Sequence, residues 1–195
     1  AAMSAKNSVF AMPLQKLPAD TAAAMSRRVN DRLHQAMAGH KDRFVGFAAL
    51  PTAVPDAAAD ELERTTKELG FKGAMLHGLA NGKFLDDKRF WPIYARAEKL
   101  DVPIYLHPAH PQPDVQRIYY DDYVKDFPMV ARPAWGYTVE TATLAIRLVL
   151  SGVFEKHPKL KIILGHLGET LPFLIWRIDH ALKRPGQKSM SFRDI

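Results

Sequence analysis

Two histidines close short apolar runs in this sequence. His107 follows Ile104-Tyr105-Leu106, and His166 follows Ile162-Ile163-Leu164-Gly165. Imidazole is the usual nitrogen ligand of a divalent metal and also carries protons near neutral pH, so a histidine delivered to the mouth of a sheet can serve either purpose. Taken singly, each is more simply a hydrogen-bonded structural residue. Two of them on separate runs, flanked by small residues or proline, favour a shared site. Glu169 stands three residues after His166, with Gly165 and Gly168 allowing a sharp turn between. Alone it reads as a first-turn acid favouring the dipole of a following helix. His77 ends a further run, Gly73-Ala74-Met75-Leu76, and is a candidate to line a substrate pocket. His110 belongs with a loop, and His34, His40, His157 and His180 read as surface residues on helices or their ends.

The elements that must position these groups alternate between two hydrophobic periods. Residues 44–50, 73–77, 103–107 and 161–166 are short, nearly continuous apolar runs, which suit strands covered on both faces. Between them lie helical spacings. Met25, Val29, Leu33 and Met37 line one helix ending near Gly39. Asp56 is placed to cap a second, through Leu62 and Leu69 to Gly70, and a third covers Phe90 to Leu100. Val139, Ala142, Ile146, Val149 and Val153 mark a fourth, and Leu171, Leu174, Ile178 and Leu182 a fifth. Such alternation predicts right-handed crossovers and an α/β fold with a parallel sheet, either open and doubly wound or part of a closed barrel. No run is followed by a phosphate-binding glycine pattern, which lowers the nucleotide-fold reading. Histidines at strand ends point instead to a barrel, where catalytic groups sit at the carboxyl ends of the strands.

One segment breaks the pattern. Residues 108–135 hold Pro108, Pro111, Pro113, Pro128 and Pro133 together with Tyr119, Tyr120, Tyr123, Phe127 and Trp135. Long loops are uncommon unless functional, and this one reads either as a surface or oligomer contact or as a lid over the site at His107.

Composition bounds the rest. The 195 residues carry 27 Lys plus Arg against 21 Asp plus Glu, a formal charge of +6, with 47% hydrophobic and 25% charged residues. That is an ordinary globular balance for one domain spanning 1–195. The basic residues are scattered among acids with no basic stripe interleaved with aromatics, so no nucleic-acid partner is expected. No run is long enough to span a bilayer and Ala1 to Ala11 lacks a signal-peptide core, so the expectation is a cytoplasmic protein without a membrane partner. With no cysteine, any metal must sit on His and carboxylate ligands.

Leu106-His107-Pro108, Gly136-Tyr137-Thr138-Val139-Glu140-Thr141-Ala142, the run from Leu150 to Glu169 and Pro172-Phe173-Leu174-Ile175-Trp176-Arg177-Ile178-Asp179-His180 together resemble the amidohydrolase-related decarboxylases. Within them the resemblance is to the γ-resorcylate (2,6-dihydroxybenzoate) branch, related to aminocarboxymuconate semialdehyde decarboxylase. It runs from about residue 10 to the end and includes Arg43 to Pro51 and Leu85-Asp86-Asp87. The resemblance implies a distorted (β/α) TIM-barrel-like fold holding one divalent metal, zinc or manganese. It makes His107 a metal ligand, His166 and Glu169 the catalytic pair, and Arg177 a partner for the substrate carboxylate, in a homo-oligomer of two or four chains. His77 joins Arg177 as an expected substrate-binding residue. The implied reaction is non-oxidative, metal-dependent decarboxylation of a hydroxylated aromatic acid.

The family's first-strand metal pair and its final-strand aspartate have no counterpart in residues 1–195, and Asp194 sits too early in a polar tail to be that aspartate. The expectation is therefore the central portion of a barrel, without strands 1, 7 and 8, binding metal weakly or not at all by itself. A metal-dependent hydrolase or hydratase of a lactone or unsaturated dicarboxylate is the enzyme alternative. An inactive binding or assembly remnant is the alternative of another class.

Overall fold

The apolar runs pair into one parallel sheet. Its strands are β1 (Ala48–Ala49), β2 (Ala74–His77), β3 (Ile104–His107) and β4 (Ile162–Leu164), in the order β1-β2-β3-β4. The structure, a computed structural model, describes residues 14, 17–40, 42–186 and 191–192. The stretch from Ala1 to Ala11 and Asp194 lie outside the described residues.

Parallel neighbours need a crossover, and helices supply each one. Preceding β1 is α1 (Ala19–Met37); α2 (Pro55–Lys67) joins β1 to β2, and α3 (Trp91–Leu100) joins β2 to β3. Between β3 and β4 run α4 (Pro113–Tyr119), α5 (Asp121–Val124), α6 (Gly136–Ser151) and α7 (Val153–Lys156), and α8 (Leu171–Leu182) follows β4. Spatial order equals chain order, with no reversal of the kind that defines a doubly wound sheet. Of the two architectures open to the sequence, this singly wound order selects the barrel type.

The two faces of the sheet differ. Ala74, Leu76, Ile104 and Leu106 are almost fully buried and pack with Leu62 of α2, Ile93 and Tyr94 of α3, and Leu144 and Leu148 of α6. Met75, Tyr105, His107 and Ile163 alternate with them and are only partly covered. Pleating puts alternate residues on opposite faces, so the histidine-bearing face is the open one.

Polar clamps fix the helices around this core. Asn30 Nδ2 donates to the Ala49 carbonyl at 3.0 Å and to Glu61 Oε1 at 2.7 Å, while Asn30 Oδ1 accepts from the Ala49 amide at 2.9 Å. One buried side chain thereby ties α1, β1 and α2. The Asp86 carboxylate takes a bidentate pair from Arg147 at 2.9 and 3.0 Å, and that guanidinium lies 4.6 Å from the centre of the Phe84 ring, which anchors α6 to the chain after β2.

Several expectations from the sequence need correction. Asp56 is not the cap of α2: Val54 takes that place and Pro55 opens the helix, its fixed φ and missing N–H suiting the first turn. The fourth helix does not run unbroken to Val153. Gly152, at φ +84°, ends α6 and starts α7. β1 is two residues long rather than the whole of 44–50. Residues 108–135 are not an extended loop, since α4 and α5 occupy 113–119 and 121–124. His157 is not a surface residue. It is buried, with Nδ1 3.0 Å from Glu98 Oε2, because the chain after α7 tucks under the end of α3. Among the described residues no helix is long and apolar enough to cross a membrane.

Candidate active site

The carboxyl ends of β2, β3 and β4 bring three histidines into a row. His77 and His107 are register partners on β2 and β3, so their side chains leave the same face. Their ring centroids lie 4.7 Å apart, tilted by 43°. On the other side of His107 the His166 ring stands edge-on at 5.3 Å. Sequence reasoning paired His107 with His166, and the sheet adds His77 to them.

His107 is held by its own neighbour. Its Nδ1 lies 2.8 Å from the Pro108 carbonyl. A carbonyl can only accept, so Nδ1 carries the proton and Nε2 keeps its lone pair. That is the tautomer a metal-ligating histidine needs, with the second ring nitrogen oriented by a backbone acceptor. Burial, opposed by the bond to Pro108 and reinforced by His166, holds this imidazole below its usual range and so favours the neutral ligand form. His77 is 2% exposed, and burial followed by the nearby His107 pushes it down to about 3.

His166 reaches the row through a turn that only this sequence makes easy. Gly165 donates its N–H to the Leu106 carbonyl at 2.9 Å. A side chain at 165 would place its Cβ 2.7 Å from that same oxygen, so glycine lets the end of β4 close onto β3. The next residues, His166, Leu167 and Glu169, have φ of +47°, +58° and +54°, with Gly168 at +78° between. Left-handed backbone is disfavoured for residues with a Cβ and is found where surroundings over-determine it, often at functional sites. Here the turn carries Glu169 back towards His166. The carboxylate Oε1 lies 3.2 Å from His166 Nδ1, and Oε2 accepts from Thr138 Oγ1 of α6 at 2.8 Å. Glu169 is therefore not a first-turn acid of α8, which begins at Leu171 after Thr170. The contact falls short of hydrogen-bond geometry, so Glu169 stands beside the imidazole as a carboxylate neighbour, an arrangement that a proton carrier can use.

Sequence reasoning passed over two further residues. Thr138 was visible only as one letter of a motif, because its role depends on a contact 31 residues away. Glu140, also on α6, lines a small cleft with Gly78, Phe84, His107, Ala109, Thr141 and Leu144. Its carboxyl is pushed up by burial. A lone acid inside an apolar helix face was the available signal. Arg177, by contrast, is exposed on α8, and no described contact joins it to the histidines.

The donor chemistry of the row suits a divalent cation, with the neutral Nε2 of His107 available at the end of β3. Among the described residues, however, no three His, Cys, Asp or Glu side chains converge on one point. His107 thus supplies one part of a ligand shell.

Known proteins resemble this chain in sequence and in fold. A family model described as Amidohydrolase matches residues 9–188. A gamma-resorcylate decarboxylase of Rhizobium sp. (strain MTP-10005) is 46% identical over 165 residues, covering 82% of this chain and 49% of the relative. The crystal structure of 2,6-dihydroxybenzoate decarboxylase from Rhizobium superposes with a TM-score of 0.83 at 41% identity, over 93% of this chain and 58% of that one. A dihydroxybenzoic acid decarboxylase from Polaromonas sp. JS666, solved with bound manganese and the inhibitor 2-nitroresorcinol, gives 0.79 at 43% identity over 88% and 53%. The chain spans about half the length of the curated relatives it matches.

Proposed function

This chain belongs to the amidohydrolase family, and from that membership we propose that its protein is a metal-dependent, non-oxidative decarboxylase of a hydroxylated aromatic acid. The observation that carries the reading is His107, fixed by Pro108 in the ligand tautomer and set 5.3 Å from the His166 ring, with the Glu169 carboxylate beside that ring. Relatives named for decarboxylation of γ-resorcylate and 2,6-dihydroxybenzoate support the lyase over a hydrolase.

In this proposal His107 contributes one ligand to a single zinc or manganese ion. When bound, that ion supplies a template and Lewis acid for the carboxylate and its ortho hydroxyl. The ring carbon bearing the carboxylate must gain a proton before carbon dioxide leaves. His166 delivers or relays that proton, while Glu169 orients its ring and offsets the charge it gains, with Thr138 steadying the carboxylate. Arg177 matches a carboxylate with its bidentate guanidinium, and its exposed place on α8 suits the site of a neighbouring subunit in a homo-oligomer. Residues 1–195 act as one unit, and residues 108–135 cover the site or meet the neighbouring subunit.

Metal content measured with intact mass tests this reading against an inactive assembly remnant. About one zinc or manganese per protein molecule, lost in His107→Ala, supports the enzyme. Protein of intact mass that binds neither ion under any loading condition overturns it.

A further inference from the structure

His77 was expected to bind substrate, yet it is 2% exposed and its surroundings point elsewhere. Its strand partner is His107, and the two rings meet at 4.7 Å. The residue after it, Gly78, takes φ +40°, and a Cβ there would lie 2.2 Å from the Ala109 Cβ. Only glycine lets the chain beyond β3 approach this closely to the end of β2, one residue past the buried His77. The His107 ring is thereby confined on three sides. The Pro108 carbonyl accepts from its Nδ1, His166 stands against it at 5.3 Å, and His77 packs on it at 4.7 Å.

We propose that His77 is a positioning residue, whose buried flat ring fixes the plane of the His107 imidazole and so keeps its Nε2 aimed into the open face of the sheet. A hydrogen bond from Nδ1 alone leaves the ring free to swing about that bond. A ring packed on one side and an edge packed on the other remove that freedom, which is what a metal ligand gains from its supporting shell. The proposal rests on reading His107 as the metal ligand, but its structural half concerns only the His107 ring.

The test is nitrogen and proton NMR of the protein at full length, labelled at histidine, comparing wild type with H77F, H77A and H77L. The His107 tautomer is read without metal or substrate, and line broadening of its ring signals is then followed as Mn2+ is added. We expect a single Nδ1–H tautomer in wild type and H77F, and a mixture in H77A and H77L. We also expect those last two to need about tenfold more Mn2+ or beyond for equal broadening, the usual cost of removing a supporting group. Retention of the single tautomer and of Mn2+ broadening in folded H77A or H77L overturns the proposal. So does a chain that unfolds in both while H77F stays native, since that marks His77 as core packing only. If Mn2+ broadens nothing in wild type, the metal reading of His107 fails while the tautomer comparison still decides the role of His77.

Discussion

Glu169 and Thr138 meet across 31 residues of sequence, the threonine hydroxyl of α6 donating to the carboxylate Oε2 at 2.8 Å while Oε1 lies 3.2 Å from His166. The bond stitches the strained turn after β4 to the helix that precedes it in the chain. Three non-glycine residues of that turn are left-handed, so the turn needs such outside support. Removing the donor alone should expose how much. Thr138→Val keeps the shape and leaves a largely buried carboxylate oxygen without its partner, at a cost of about 1–3 kcal/mol. Urea unfolding of the two proteins checks this, and an unchanged midpoint would mean that water replaces the hydroxyl.

Glycine is required at one position and dispensable at another. Gly165→Ala drives a Cβ against the Leu106 carbonyl, where backbone cannot yield cheaply, and should destabilise by about 1–3 kcal/mol. Gly39, just beyond α1, has open space where a Cβ would stand, so Gly39→Ala should be neutral or stabilise by about 0.4–1 kcal/mol through the unfolded chain. Thermal unfolding of both variants shows the contrast, and equal effects would contradict the close approach of β3 and β4.

Burial raises the Glu140 carboxyl above its ordinary 4.5, so the folded protein binds that proton more tightly than the unfolded chain does. The sign follows directly. This residue adds stability as pH falls through its raised folded value towards 4.5, and it detracts at neutral pH, where the carboxyl must ionise in an apolar cleft. Glu140→Gln should therefore be more stable than wild type at neutral pH, with the advantage shrinking on acidification. Denaturation midpoints at several pH values measure it, and a variant less stable at neutral pH would show that the charged form has a partner.

Large apolar side chains stand open on α8 and the turn before it, with Leu167 95%, Phe173 89% and Trp176 72% exposed. An uncovered patch of this kind favours association. The chain should sediment as a concentration-dependent mixture, and Phe173→Glu with Trp176→Glu should shift it towards monomer. A wild-type chain that stays monomeric at high concentration would refute the oligomer reading.

Much of this was legible from local pattern. His107 stands where its run placed it, as the last residue of β3, whereas His166 lies two residues beyond β4 and reaches the row through the turn. Leu85-Asp86-Asp87 entered only as part of the resemblance, and the fold gives it work, with Asp86 gripping Arg147 and Asp87 accepting from the Arg89 amide. What the sequence hid depends on contacts between distant segments. The burial of His77 beside His107 depends on the pairing of β2 with β3, and the Thr138 contact follows from where α6 passes the turn at 166–169. His157 looked like surface because its place beside Glu98 is set by packing of two helices rather than by its own neighbours. The short helices α4 and α5 were concealed by prolines, which here open a helix at Pro113 instead of preventing one.

Carbon dioxide release from 2,6-dihydroxybenzoate by the protein at full length, loaded with manganese or zinc, tests the proposed decarboxylation most directly. Loss of the benzoate absorbance should be matched mole for mole by carbon dioxide, and His107→Ala and His166→Ala should each remove most of the rate. Turnover of lactones by the same preparation, with the benzoate untouched, would contradict it.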